Sequence, residues 1–518
     1  MNRFKYDLRL LAADLPASIV VFLVALPLCL GIALASNAPL FSGLIAGIVG
    51  GMLVAWLSGS HLSVSGPAAG LTVIVANGIE SLGGFAAFSL SLVIAGGLQI
   101  VLGLLNAGLI AAFFPASVIK GMLAAIGLIL IIKQIPHATG FDASYAGDES
   151  YMQETARSSF FELFEALRGV SPSVTLVSLV ALLIMLIWDS HWLKQWAWVR
   201  LIPSPLLAVA WGLGYNLFTS QSAPEWGIAP QHLVSLPELG STAAFIQQLS
   251  WPDFSQLSNP AIYKIAATLA VIASLETLLS VEAVDKLDPY RRTTPANREL
   301  RAQGVGNLIN GLIGGLPMTA VIVRSSANIN AGGQTRISCF LHGLLLLLSV
   351  LLFAPVLNQI PLACLAAILL QTGFKLAKPA LFVSFYRQGW NQFLPFAITV
   401  VAILMTDLLQ GILIGMGCGF FFVLKANYHA AITLTEHGSS YLLRLHKDVS
   451  FLNKALLRHY LERVADDSDL IIDGQRARFI DHDILETIAD FMQGAEERNI
   501  QVELQGLVIN PGMPLSAH

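Results

Sequence analysis

Apolar residues run in long stretches along this 518-residue chain as far as about residue 425, and polar residues gather in the gaps between them. The runs fall at about 15–35, 41–58, 85–113, 118–134, 172–188, 201–218, 262–282, 336–355, 360–374, 392–407 and 408–425. A helix needs roughly 20 such residues to cross a hydrocarbon core of ~30 Å. Two half-helices and a glycine-rich span near 303–314 bring the total to about fourteen crossings. The first run has a basic start and an Ala33-Leu34-Ala35 box that mimic a signal peptide. Its length, Pro27 in its middle, Asp7 and Asp14 before it and a dozen spans after it make it the first membrane helix instead.

Two short segments break the apolar pattern, Ser65-Gly66-Pro67-Ala68-Ala69-Gly70-Leu71-Thr72 and Gly314-Gly315-Leu316-Pro317-Met318-Thr319. Non-helical backbone at membrane depth is tolerated only where protein or a watery cavity surrounds it, so paired breaks mark a binding site. The half-helix that follows each break starts with unpaired N–H groups and a partial positive charge. Together they predict an anion site at mid-membrane, with the amides of Ala68, Ala69, Thr319 and Ala320 as donors. The breaks fall in the third and tenth crossings, which divides the membrane part into two halves of seven. An odd number per half inserts the second half the other way up, as an inverted repeat.

Composition agrees: 55% of residues are hydrophobic, 12% are charged, and mean hydropathy is +0.69. Lys and Arg sit in the connections after even-numbered spans, while the two long odd-side loops, about 136–171 and 219–260, are acidic. By the positive-inside rule both chain ends face the cytoplasm. The net charge of −4 leaves no basic surface for nucleic acid. Cys29, Cys339, Cys364 and Cys418 lie in or beside apolar spans without paired spacing and read as packing residues. Beyond about 425 the pattern changes to strands near Tyr441, Leu470–Asp473 and Gln501–Leu507. Amphipathic helices alternate with them, one over 452–464 with Leu452, Ala455 and Leu456 inward, the next opened by Asp483 with Glu486. This predicts a membrane domain over 1–430 and a small cytoplasmic α/β domain over 440–510, ahead of a disordered tail from Pro511.

Arg324 follows Ala320-Val321-Ile322-Val323 about two turns into the tenth helix, where a charge is expensive unless it faces a cavity or a partner. Glu276 is the only ionisable residue inside the eighth span. It could carry a proton, help hold a cation, or simply neutralise Arg324. Thr72, Ser280 and Thr319 are small hydroxyl residues on the cavity helices, and each taken singly is expected to bond back to its own helix. Gly304, Gly306 and Gly311 superficially resemble a dinucleotide loop, but no strand precedes them, and close helix packing explains them better.

At these residues the chain resembles the SulP family of anion transporters, which includes sulfate permeases, cyanobacterial bicarbonate transporters and prestin. The resemblance rests on Asp14 through Pro27, Ser65-Gly66-Pro67, Asn297-Arg298-Glu299-Leu300 and Gln303-Gly304-Val305-Gly306-Asn307. Gly315-Leu316-Pro317, Arg324 and Gly332-Gly333-Gln334-Thr335-Arg336 complete it. It implies seven-plus-seven inverted repeats, a core domain moving against a gate domain like an elevator, a homodimer and a C-terminal STAS domain. Sulfate-transporting and prestin-like members tend to have polar residues where this chain has Leu28, and a Ser where it has Val323. Apolar residues there look more like the bicarbonate branch. That branch tends to carry Asp in place of Glu276 and Thr in place of Ala68, which weighs against carrying its sodium coupling over. Ile480-Asp481-His482-Asp483 stands where the family often has an Asp-Ser pair, so phosphorylation is not expected there.

The resulting expectation is an all-α polytopic protein of a bacterial inner membrane with a small α/β domain, a transporter and not an enzyme. It carries small inorganic anions, bicarbonate before sulfate or chloride. Ala68, Ala69, Thr72, Thr319, Ala320, Val323 and Arg324 bind substrate; Glu276 and Ser280 serve a coupling H+ or Na+. No other cofactor and no metal site are expected. The partners are the lipid membrane, a second copy and a cytoplasmic regulator. A passive channel is set apart by flux that neither saturates nor exceeds equilibrium. A non-transporting sensor or scaffold has no need of Glu276 and Arg324 inside the membrane.

Overall fold

The computed structural model describes residues 8–108, 115–140, 170–190, 192–196, 199, 202–236, 249–406 and 408–507. Most of the first acidic loop, residues 237–248 of the second and the tail from Pro511 lie outside the described residues. The chain divides into two compact units, Met1–Gly415 and Met416–His518.

Fourteen membrane segments are present among the described residues. The first seven are α1 (Leu8–Ala35), α2 (Leu40–Leu57), α3 (Thr72–Leu82), α4 (Phe85–Leu104), α5 (Ala116–Thr139), α6 (Pro172–Trp188) and α7 (Ser204–Ser222). The second seven are α8 (Pro260–Leu287), α9 (Ala296–Ile313), α10 (Ile322–Asn330), α11 (Arg336–Leu357), α12 (Leu362–Leu376), α13 (Trp390–Met405) and α14 (Leu408–Ala430). A short helix, Pro379–Arg387, separates α12 from α13. Seven helices are long and apolar enough to cross a membrane unaided, and α3, α6, α13 and α14 supply shorter apolar ones. At 1.5 Å per residue, the 11 residues of α3 and the 9 of α10 reach only about half-way across.

The packing has the two-fold form of an inverted repeat. Helix α1 packs on α11 and α10 as α8 packs on α4 and α3; α2 meets α11 as α9 meets α4. Helix α5 meets α13 as α12 meets α6, and α5 and α12 pack on each other. Helices α4 and α9 approach so closely that a Cβ on Gly304 would stand 2.8 Å from the Gly96 carbonyl oxygen. The glycines of 304–311 are therefore packing residues.

Two short strands, β1 (Ser65–Pro67) and β2 (Met318–Ala320), precede α3 and α10 and pair antiparallel, with Gly66 opposite Thr319. Each comes from a different half, so the pair satisfies backbone groups that lipid could not.

The second unit carries a four-stranded sheet, β3 (Ile432–His437), β4 (Ser440–Val449), β5 (Asp469–Ile480) and β6 (Gln501–Gln505), in that order. The β3–β4 pair is antiparallel and the others are parallel. Helices α15 (Lys454–Glu462) and α16 (His482–Ala495) make the crossovers, and Leu443, Leu457, Ile472, Ile484 and Ile488 form the core. Three details differ from the sequence reading. The sheet begins at Ile432, because the chain passes from α14 almost directly into β3; the division between units falls earlier, inside α14. Asp481, not Asp483, caps α16, its Oδ1 accepting the Asp483 N–H. Leu452 and Ala455 face outward while Leu457 is buried, because a separate turn at Phe451–Asn453 resets the helical phase before α15.

Candidate functional site

Helix α9 carries a buried polar stripe, Glu299, Gln303, Asn307 and Asn310, on one face at helical spacing. The Glu299 carboxylate accepts from Ser58 Oγ at 2.5 Å, the Gly59 N–H at 3.2 Å and Gln303 Nε2 at 3.0 Å. Gln303 Nε2 also donates to Ser65 Oγ at 2.7 Å, which ties α9 to the first residue of β1. Asn307 brackets Met318 of β2, accepting its N–H at 2.7 Å and donating to its carbonyl at 3.1 Å. Asn307 Nδ2 also donates to Gln99 at 2.7 Å, and Gln99 to Ser274 at 3.3 Å. Asn310 donates to the Leu316 carbonyl at 2.9 Å. One helix face thus holds both strands in place. The sequence offered this as a Glu-x3-Gln-x3-Asn-x2-Asn period, quoted above only as a resemblance.

Helix α10 begins at Ile322, so Arg324 lies in its first turn and not two turns in. The sequence reading puts the second pair of free amides at Thr319 and Ala320. Both are in β2, and the Ala320 N–H points at Thr277 Oγ1, 3.4 Å away. The orphan first-turn N–H groups are instead those of Ile322, Val323 and Arg324. On the other side Ala68 opens the turn Ala69–Leu71 that leads into α3, so Ala69 and Gly70 hold the equivalent positions. Ala68, Thr72, Thr319 and Ala320 are buried, Ala69 is half-buried and Val323 is exposed. Thr72 Oγ1 donates back to the Ala69 carbonyl at 2.8 Å, and Thr319 Oγ1 to the Ala320 carbonyl at 3.2 Å.

Arg324 is the largest fully buried side chain, at 0% exposure. Its Nη2 reaches the Pro67 carbonyl at 3.4 Å, a long contact, and Nε and Nη1 find no acceptor among the described residues. Gly66 makes room for it, since a Cβ there would overlap Nη1. Gly47 stands on the far side; a Cβ on it would lie 2.8 Å from both Cys29 Sγ and Leu346 Cδ1. Cys29, buried on α1, lies near enough to the guanidinium to feel its charge. One turn from Leu346, buried His342 directs Nδ1 at the Cys339 carbonyl, 3.1 Å away. A carbonyl only accepts, so Nδ1 carries the proton; Nε2, an acceptor in the neutral ring, has no partner among the described residues and feels the Arg324 charge. Cys29 and His342 were missed as neighbours of the site, because nothing in their spacing along the chain relates them to Arg324.

The two charged residues are not paired. Glu276 is half-buried on α8, its carboxylate 2.7–2.9 Å from where a Cβ on Gly70 would stand. Ser280 lies four residues on, on the same helical face. Among the described residues no ion pair joins Arg324 to Glu276 or any other carboxylate. The neutralising role weighed for Glu276 fails because Arg324 turns toward α1 and α11, whereas Glu276 faces the α3 side. Asp14 of α1 accepts the Gln334 and Thr335 N–H groups at 2.7 and 3.1 Å and the Thr335 hydroxyl, tying α1 to the α10–α11 turn.

Half-helices from two inverted repeats, joined through paired strands around a sealed cation, are the architecture of a membrane transporter. Residues 11–418 match the sulfate permease family, and the chain belongs to that family. It is an anion transporter and not an enzyme. It is 26% identical to the putative sulfate transporter YvdB of Bacillus subtilis, covering 82% of this chain and 76% of that protein. It is also 26% identical to the bicarbonate transporter BicA of Picosynechococcus, over 80% of this chain and 70% of that one. The solved transmembrane domain of a cyanobacterial BicA superposes with a TM-score of 0.64 at 26% identity, over 80% of this chain and 99% of that domain. The overall structure of SLC26A9 shares the fold, with a TM-score of 0.80 at 15% identity, over 97% of this chain and 86% of that one.

Proposed function

We propose that the protein is a secondary active transporter of small inorganic anions, with bicarbonate preferred over sulfate and chloride, working by elevator-like alternating access. The observation that carries this reading is Arg324, a sealed guanidinium in the first turn of α10 that reaches β1, with two nitrogens that find no acceptor among the described residues. Its charge adds to the partial charge of the two helix starts, so the opening between them attracts an anion without direct contact from the side chain. The amides of Ala69, Gly70, Ile322 and Val323 line that opening. Apolar Leu28 and Val323, where sulfate-transporting relatives tend to have polar residues, suit a singly charged anion better than sulfate. The likeness to BicA supports the same preference.

Glu276 carries the coupling proton, or helps Ser280 hold sodium, because of the two charges only a carboxylate can gain or lose a proton while a guanidinium keeps its own. The protein works as a homodimer in the inner membrane with both ends in the cytoplasm. Its core and gate lie within 1–430, and a STAS-like domain over 440–510 receives a cytoplasmic regulator. The test is uptake of radiolabelled bicarbonate and sulfate into proteoliposomes, with and without sodium and pH gradients. Saturable bicarbonate uptake that exceeds equilibrium under one gradient is expected. Flux that never saturates and stops at equilibrium would establish a channel in its place.

A further inference from the structure

A cavity of about 380 Å³ opens where the first turns of α5, the last turn of α12 and the short helix Pro379–Arg387 meet. One wall is basic, with Lys120, Lys375 and Lys378, and Ser384 adds a hydroxyl; Leu123, Leu376 and Leu381 form the apolar remainder. All three lysines are exposed. Lys375 Nζ bonds Asp189 Oδ2 at 2.7 Å, and Gln371 donates to the same carboxylate oxygen at 3.0 Å. Lys120 and Lys378 therefore provide the uncommitted positive charge.

The depth of this cavity in the bilayer follows from its aromatic neighbours. On the short helix, Phe385 is buried and stacks on Phe396, with ring centres 4.7 Å apart. Next to it Tyr386, Trp390 and Phe393 form an edge-to-face cluster at 5.5–6.0 Å, with Tyr386 and Trp390 each 60% exposed. Exposed Tyr and Trp beside Lys and Arg at the ends of apolar helices mark the headgroup level of a membrane. A site at that level with a cationic wall and an apolar floor suits an amphiphile with a phosphate head. A bare inorganic anion would gain nothing from the three leucines.

We propose that this cavity binds an anionic phospholipid of the leaflet on the basic side of the protein. The phosphate sits between Lys120 and Lys378 with the Ser384 hydroxyl in reach, and the acyl chains run along Leu123, Leu376 and Leu381. Basic pockets between helix ends capture such headgroups by the same combination of charge and apolar contact. The bound lipid braces α5 against α12, the pair that lies on the axis of the repeat. None of this depends on which anion is carried.

Native mass spectrometry of the purified full-length protein tests it, with added palmitoyl-oleoyl phosphatidylglycerol or phosphatidylcholine. The wild type should retain phosphatidylglycerol in preference by about fivefold per engaged lysine. Lys120→Gln/Lys378→Gln should reduce that preference to near unity, each single variant should fall between, and Lys286→Gln, an exposed lysine elsewhere, should leave it intact. Equal retention of the two lipids by the wild type, or an unchanged preference in the double variant, overturns the proposal. So does complete displacement of the lipid by millimolar glycerol phosphate, which would make the cavity a site for a free phosphate ester. Single variants serve if the double variant is not monodisperse.

Discussion

Two contacts related by the internal two-fold are built alike and charged oppositely. Half-helix α10 meets α1 as α3 meets α8. In the first contact the charge is on the half-helix: Arg324, fully buried, faces neutral Cys29. In the second it is on the long helix: Glu276, half-buried, faces Gly70, which has no side chain at all. Chain geometry is repeated and electrostatics are not. A guanidinium never loses its proton in a protein and here meets no water, so it provides a constant field. A carboxylate can gain a proton, so of the two contacts only the α3–α8 one can change its charge.

The most damaging test of this contrast is Arg324→Met, which keeps the volume and removes the field. Losing the attraction of a unit charge roughly 6–10 Å away, about 1.5–3 kcal/mol at an effective dielectric of about 20, should weaken apparent anion affinity by roughly ten- to a hundredfold in saturation uptake. An unchanged KM in folded protein would show that the two contacts do not differ in the way described. Glu276→Gln, a permanent mimic of the protonated carboxyl, should leave anion exchange intact and abolish acceleration by an imposed proton gradient, or by sodium if that is the coupling ion. If it abolishes anion binding as well, the second contact serves the anion directly.

A finer separation comes from two alanines. Gly66→Ala drives a methyl group into Arg324 Nη1 and should raise KM by about tenfold, the effect of a lost contact of about 1.4 kcal/mol. Gly70→Ala displaces Glu276 and should flatten the gradient response while leaving KM in place. Identical phenotypes for the two would merge the contacts into one. Asn307→Ala, behind the strands, leaves the buried Met318 amide unpaired and should cost about 1–3 kcal/mol of stability, read as a lower melting temperature of the detergent-solubilised protein.

The smallest effect is expected outside the membrane. The Gln475 N–H at 3.0 Å and Arg444 Nε at 2.9 Å hold the Asp473 carboxyl below the usual carboxylate range, outweighing its partial burial. A depressed carboxylate stabilises the fold at neutral pH, and that contribution fades as pH falls below about 4. Protection factors for hydrogen exchange across β4 and β5, taken against the intrinsic rate at each pH, should therefore fall on acidification of the full-length protein. Asp473→Asn should show the looser pattern already at pH 7.

Much of this was legible in the chain. The breaks at Ser65-Gly66-Pro67 and Gly315-Leu316-Pro317 announced themselves because Gly and Pro stand out against apolar helices. The segments beyond them did begin half-helices. The position of the second helix start was off by a few residues, since Met318–Ala320 can be read as strand or helix until β1 is seen to pair with it. Arg324 and Glu276 were conspicuous as charges in apolar surroundings, but their relation was not, because the direction of a side chain depends on helix rotation. Cys29 gave no signal, being an ordinary residue made significant only by a neighbour about 300 positions away, and neither did His342, which lies near Arg324 in sequence but on the next helix, beyond a turn. In the C-terminal unit β3 was missed because Ile432–His437 follows α14 with no turn residue to announce it.

The pairing of β1 with β2 also places a schedule on biogenesis. Ser65–Pro67 enters the membrane early, yet the strand that completes it, Met318–Ala320, is made about 250 residues later. Asp14 waits still longer for its partners at Gln334 and Thr335. Unpaired strand backbone cannot stand in lipid, so throughout the synthesis of the first half these groups have to be sheltered by the insertion machinery or by water. The site proposed for the anion therefore cannot form until the tenth of the fourteen segments has been made.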